Sequence, residues 1–156
     1  MSETNTKPPF NGPTIRFLFN VCNDLAATKN FYVDLIGMKV TQYEEEWGYL
    51  NIQCDGFEFM FFKSEKGDLS VAERWASQPG YEGGALEVMS WALFIPEDQF
   101  ADVVKRLKVG GVKLFKEAPE WRQKSYWGFT VMDPNGVTVE VYTTPKEKPE
   151  SNEWIE

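Results

Sequence analysis

Apolar positions along this chain recur in two runs of the same design. Ile15-Arg16-Phe17-Leu18-Phe19-Asn20-Val21 reads as a strand. Asn23 or Asp24 then offers an N-cap to a helix whose Leu25, Phe31, Tyr32, Leu35 and Ile36 share one face, and Gly37 stops it. Strand-like segments follow at about 38–45, 48–54 and 57–63, divided by Glu44-Glu45-Glu46 and by the Asp55-Gly56 turn. The order is β-α-β-β-β. Residues 64–86 break the pattern with Gly67, Pro79, Gly80, Gly83 and Gly84 and leave room for one short helix around Val71-Ala72-Glu73-Arg74-Trp75. A second run then begins with the strand-like Val88 to Ile95, and Pro96 opens a helix with Phe100, Val103, Val104 and Leu107 on one face. Gly110-Gly111 ends it, and strands are expected near 112–117, 125–132 and 137–143.

The two runs also echo each other residue by residue. Trp47-Gly48-Tyr49 returns eighty positions later as Trp127-Gly128-Phe129, and Asp55-Gly56 returns at the same offset as Asn135-Gly136. In the alternating strands after these turns, Met60 stands where the second copy has Glu140. A duplicated domain is therefore expected over 14–143, with module one at 14–63, a linker at 64–86 and module two at 87–143. Residues 1–13, with Pro8, Pro9 and Pro13, read as a flexible arm, and 144–156 as a loose tail whose Trp154 and Ile155 could dock on a neighbour.

Composition narrows the chemistry. The 24 acidic against 16 basic residues give a net charge of −8, which disfavours a phosphate backbone as partner. No apolar run reaches the roughly 18 residues of a membrane span, and the first residues lack the basic and apolar regions of a signal peptide, so neither nucleic acid nor membrane is expected and the cytoplasm is the expected location. There is no histidine, which removes imidazole bases, Ser-His and Cys-His dyads and His-based metal sites. Cys22 and Cys54 have no metal-binding spacing and read as free thiols.

Phe31-Tyr32-Val33-Asp34-Leu35-Ile36-Gly37-Met38 resembles a helix end of the vicinal oxygen chelate superfamily, and Asp133-Pro134-Asn135-Gly136-Val137-Thr138-Val139-Glu140 resembles its final hairpin. The resemblance covers about 14–143 and implies an α+β fold in which paired βαβββ modules form a curled mixed sheet around a cleft, usually in a homodimer. The superfamily includes glyoxalase I, ring-cleaving dioxygenases, fosfomycin-resistance enzymes and metal-free bleomycin-resistance proteins. Its metal enzymes take ligands from the first and last strands of each module. Here those positions fall at Phe17, beside Met60, within Ser90-Trp91-Ala92 and at Glu140. One ligand of four is a carboxylate, which is too few donors for a catalytic divalent cation, so no metal and no cofactor are expected.

What the resemblance then implies is a metal-independent small-molecule-binding protein, antibiotic-resistance-like, that sequesters its ligand. Phe17, Trp47, Met60, Trp91, Trp127 and Tyr142 are the candidate walls and Glu140 the candidate anchor. Aromatic walls with a net negative protein suit planar or cationic ligands such as bleomycin-type antibiotics. Core packing is the competing reading for Phe17, Phe19, Met60 and Trp91, while the Glu44-Glu45-Glu46 run reads as a solvated strand end and Arg122 with Lys124 as a loop charge pair. Three alternatives stand beside sequestration. Glu140 could be the general base of a metal-independent lyase or isomerase, the chain could be a degenerate glyoxalase- or dioxygenase-like metalloenzyme, or Trp75 and Trp154 could bind a protein partner.

Overall fold

The computed structural model describes residues 12–78, 84 and 88–155, so most of the expected N-terminal arm and part of the linker lie outside the described residues. Module one comprises β1 (Phe17–Cys22), α1 (Leu25–Lys29) running on into a π-helical segment (Asn30–Leu35), β2 (Val40–Glu44), β3 (Tyr49–Gln53) and β4 (Glu58–Lys63). Asp24 caps the helix, its Oδ1 accepting from the Ala27 amide at 2.8 Å, and Gly37 at φ +95° ends it. Module two comprises β5 (Ser90–Phe94), α2 (Glu97–Val109), β6 (Lys113–Leu114), β7 (Glu120–Arg122), β8 (Tyr126–Met132) and β9 (Thr138–Thr143). Glu97 and Asp98 lie in the first turn of α2 and Arg106 and Lys108 in its last, complementing the helix dipole.

The fold is α+β, with two open mixed sheets. The first has order β1-β4-β3-β2, and the second runs β5-β9-β8-β6 with β7 also pairing β8. In each, the first strand runs parallel to the last and the other pairs are antiparallel. One face of each sheet is covered by its helix. Leu50, Ile52, Phe59 and Phe61 of module one and Phe129, Val131, Val139 and Val141 of module two belong to a single buried cluster with the helices. Arg106 on α2 donates to the Leu35 carbonyl at 2.7 Å, and the buried Tyr32 hydroxyl donates to Asp133 at 2.8 Å, so the modules are joined by polar links as well as by packing.

Three expectations need correcting. The segment around Val71–Trp75 is not helical; it packs against Gly136, whose missing side chain makes room for Val71 and the Ala72 carbonyl, and the Ala76 amide donates to Thr138 at 2.8 Å. The tail is not loose at Trp154, whose ring packs edge-on against Phe100 and Trp127 of its own chain. The third concerns the repeat. Met60 and Glu140 do occupy matching places, opposite Phe19 and Ala92 on the first strands. Their other neighbours are Asn51 and Thr130, 79 positions apart, whereas the Trp-Gly-aromatic motif repeats at eighty. The echo thus runs one residue out of register, and a one-residue shift exchanges the faces of a strand. Trp47 ends up in a turn, 84 % exposed, and Trp127 inside β8, 6 % exposed.

Candidate functional site

The faces of the two sheets away from the helices differ in kind. In module one this face carries Phe17, Phe19 and Val21 from β1 beside Met60 and Phe62 from β4. The Phe19 ring is 66 % exposed and stacks on Phe62 at 6.0 Å, while Tyr49 lies 5.3 Å beyond. Its polar contact is a hydrogen bond from Asn51 to Glu58.

In module two the corresponding face is built around a buried ion pair. β9 alternates, so Thr138, Glu140 and Tyr142 share one side while Val139 and Val141 enter the core. Glu140 and Arg122 are each only 6 % exposed. Arg122 Nη1 donates to Glu140 Oε1 at 2.6 Å and to the Thr130 hydroxyl at 2.9 Å, and Nη2 donates to Glu120 at 2.7 Å. The Tyr126 hydroxyl donates to the same Glu140 oxygen at 3.2 Å. Gly128 makes this possible. A Cβ there would sit 2.6 Å from Glu140 Oε1 and 2.9 Å from Arg122 Cδ, so the guanidinium crosses the sheet through space that only glycine leaves empty.

The electrostatics follow from these contacts. Burial pushes the Tyr126 phenol up to about 12, with the Glu140 carboxylate adding to the effect. Burial alone would raise Glu120, but hydrogen bonds from Lys116 and Arg122 outweigh it and hold the carboxyl below its usual range. Burial raises Asp133 although its Oδ1 accepts from the Asn135 and Val137 amides at 2.8 Å each, which is why this Asp-Pro-Asn-Gly turn has its shape.

A cavity of about 210 Å³ borders Glu140, lined also by Ser77 and Gln78 from the linker and by Ser90, Trp91 and Ala92 from β5. Ala92 is the direct neighbour of Glu140, and its short side chain leaves space above the carboxylate. Gln78 accepts from the Thr130 hydroxyl at 2.8 Å, so the linker is tied into the ion-pair network. Trp91 stands edge-on to Phe59 at 4.8 Å and donates through Nε1 to the Tyr32 hydroxyl at 3.2 Å, a link from the cavity wall to Asp133.

Of the residues singled out from sequence, Trp91 and Glu140 line this cavity; Tyr142 does not, its ring packing against Tyr126 at 5.6 Å. Phe17 and Met60 belong to the face of module one, and Trp47 projects from its turn. Trp127 lies on the helix side of β8 between Trp121 and Trp154, which places it in the core. Trp75 is half-buried against Phe115. The reading of Arg122 as a loop charge beside Lys124 is overturned, because Arg122 is the buried counter-ion of Glu140. Its strand was missed for a physical reason. The β7–β8 turn places Gln123 and Lys124 at φ +50° and +56°, a conformation that usually announces itself through Asn or Gly. Alternation of Glu120-Trp121-Arg122 against Tyr126-Trp127-Gly128 was the available signal.

The donor set does not fit a divalent cation. Glu140 is already held by a guanidinium, its neighbour on β5 is Ala92, and among the described residues no three His, Cys, Asp or Glu side chains gather at one place. Among the described residues no helix is long and apolar enough to cross a membrane.

Comparison with known proteins agrees with this architecture. A glyoxalase/dioxygenase from Nostoc punctiforme is similar in structure with a TM-score of 0.64 at 16% identity, covering 93% of this chain and 100% of its own. Lactoylglutathione lyase from Agrobacterium tumefaciens gives 0.54 at 16% identity over 87% of this chain and 96% of its own. The oxidase ChaP-H2 gives 0.55 at 20% identity over 85% and 94%. No curated protein sequence matches the chain. The sequence profile of the Glyoxalase/Bleomycin resistance protein/Dioxygenase superfamily matches residues 15–141, and with its paired modules and open mixed sheets the chain belongs to that superfamily.

Proposed function

We propose that this protein is a metal-independent small-molecule-binding member of its superfamily, acting in the cytoplasm by sequestering its ligand against the polar face of module two. The observation that carries the reading is the buried Arg122–Glu140 pair beside a cavity. A carboxylate already matched by a guanidinium, and by the Tyr126 hydroxyl on the same oxygen, is a fixed polar wall and a poor metal ligand. The general-base reading is left with Oε2 of Glu140 alone, since Oε1 already accepts from Arg122 and Tyr126.

Sites that enclose drug-sized ligands have volumes of roughly 300–1,000 Å³. At about 210 Å³ this cavity supports a smaller ligand, and a bulky antibiotic would need walls from a second chain. The exposed Phe17, Phe19 and Phe62 strip supports such a second chain, because an apolar sheet face of this kind gains by being covered, and a homodimer is the proposed assembly.

Tryptophan fluorescence tests the reading, since Trp91 lines the cavity. Saturable quenching by a panel of small planar compounds, reduced in Glu140→Ala and indifferent to chelators, is the expected result. A folded protein that responds to none of them, or that turns over a carbonyl substrate with loss of activity in Glu140→Gln, would sink it.

A further inference from the structure

The polar groups of the residues lining the cavity bear on what it can hold. Thr130 accepts from Arg122 and passes its own hydroxyl hydrogen to Gln78 Oε1 at 2.8 Å. That bond orients the amide, and the other end, Gln78 Nε2, is buried with no hydrogen-bond partner among the described residues. A buried donor without an acceptor is costly, and native sites tolerate one where a ligand or water completes it. Ser90, on the same cavity, adds a hydroxyl that no described residue engages. Glu140 lines the same cavity; its Oε1 accepts from Arg122 and Tyr126, and its Oε2 takes no hydrogen bond among the described residues.

Among the described residues, Glu140 and Glu120 are matched by Arg122 and Lys116 through direct contacts, so neither a cation nor an anion meets an unpaired opposite charge there. The negative balance of the whole chain therefore says little about this pocket. Size sets a further limit, because an apolar cavity of about 150 Å³ accommodates benzene. At about 210 Å³ there is space for one ring and a head group.

Resting on the binding function proposed above, we infer that the ligand is a small neutral carbonyl compound with an N–H or O–H donor next to the carbonyl, of the carboxamide, lactam or urea type. Its carbonyl oxygen accepts from Gln78 Nε2 and Ser90, and its own donor goes to Glu140 Oε2. A cationic ligand would leave Gln78 unsatisfied, and a carboxylate would bring two acceptors against Glu140.

Benzamide, benzoate and benzamidinium share one ring and differ in this head group alone, so their titration against the intact protein decides the matter. Benzamide should bind saturably and at least about tenfold more tightly than either charged analogue, the size of effect expected when one hydrogen bond is replaced by an unsatisfied group. Gln78→Glu keeps the acceptor for Thr130 while removing the donors, and should weaken benzamide about tenfold and improve benzamidinium. Should circular dichroism show that variant unfolded, Ser90→Ala reads the same donor side with an expected loss of about threefold. Preference for benzoate or benzamidinium in the unaltered protein, or benzamide binding untouched by these substitutions, overturns the inference while leaving a ligand-binding function in place. A folded protein that binds none of the three, and none of the broader planar panel, overturns both.

Discussion

The two modules share a topology and have opposite open faces. Module one presents aromatic rings to solvent, with Met60 at the place where module two has Glu140. Module two buries a carboxylate, a guanidinium and three hydroxyl or amide groups that bind one another. The same strand order therefore carries one exposed apolar face and one face with a buried polar network beside a cavity. The difference comes down to a few positions. Gly128 opens the space that Arg122 crosses, whereas Tyr49 fills the matching place in β3, and Ala92 leaves room over Glu140 where Phe19 lies beside Met60.

Removing one member of the buried pair should break the contrast most severely. Arg122→Ala leaves Glu140 buried without its counter-ion, and a loss of about 3–5 kcal/mol in urea unfolding is expected. Adding Glu140→Ala should cost less than the two single losses combined, because the uncompensated charge is then gone. The tryptophans of the echoed motif sharpen the comparison. Trp127→Ala should cost about 3–5 kcal/mol, since it empties core volume between Trp121 and Trp154. Trp47→Ala should stay within about 0.5 kcal/mol, as this ring packs in no core. Equal losses at both positions would contradict the one-residue slip between motif and register.

Gly128→Ala comes next. The new methyl would meet Glu140 and Arg122 at under 3 Å, so a loss of about 1–3 kcal/mol is expected, recovered in part when Glu140 is also shortened. The smallest effect concerns pH. The folded value for Tyr126 is raised from 10 to about 12, so its contribution to stability is complete below pH 10 and lost as pH climbs through 12. Tyr126→Phe should remove that part of the alkaline loss, seen as a flatter unfolding midpoint against pH relative to the unaltered protein.

Much of the fold was legible because it rests on local patterns. Alternation marked β1, β4, β5 and β9, helical spacing marked both helices, and Gly37 and Gly110-Gly111 marked their ends. Glu140 stood out for the same reason, as a carboxylate in an apolar alternation. What stayed hidden depended on contacts between distant positions or on uncommon backbone. Arg122 reaches Glu140 only because a turn of Gln123 and Lys124 adopts positive φ without glycine, and Gln78 enters the site from a linker whose composition resembles ordinary loop. Trp127 reads as a cleft wall from the family resemblance, whereas its place on β8 puts it on the core side with Phe129 and Val131.

In the function proposed above, the carboxylate kept by module two is paired with Arg122 and serves a binding cavity without a metal. Calorimetric titration of the chelator-treated protein with Zn²⁺, Ni²⁺ and Mn²⁺ tests it most directly. The account predicts no stoichiometric uptake, and identical heats for the unaltered protein and Glu140→Gln. Uptake of one ion per chain at micromolar or tighter affinity, abolished by Glu140→Gln, would contradict it.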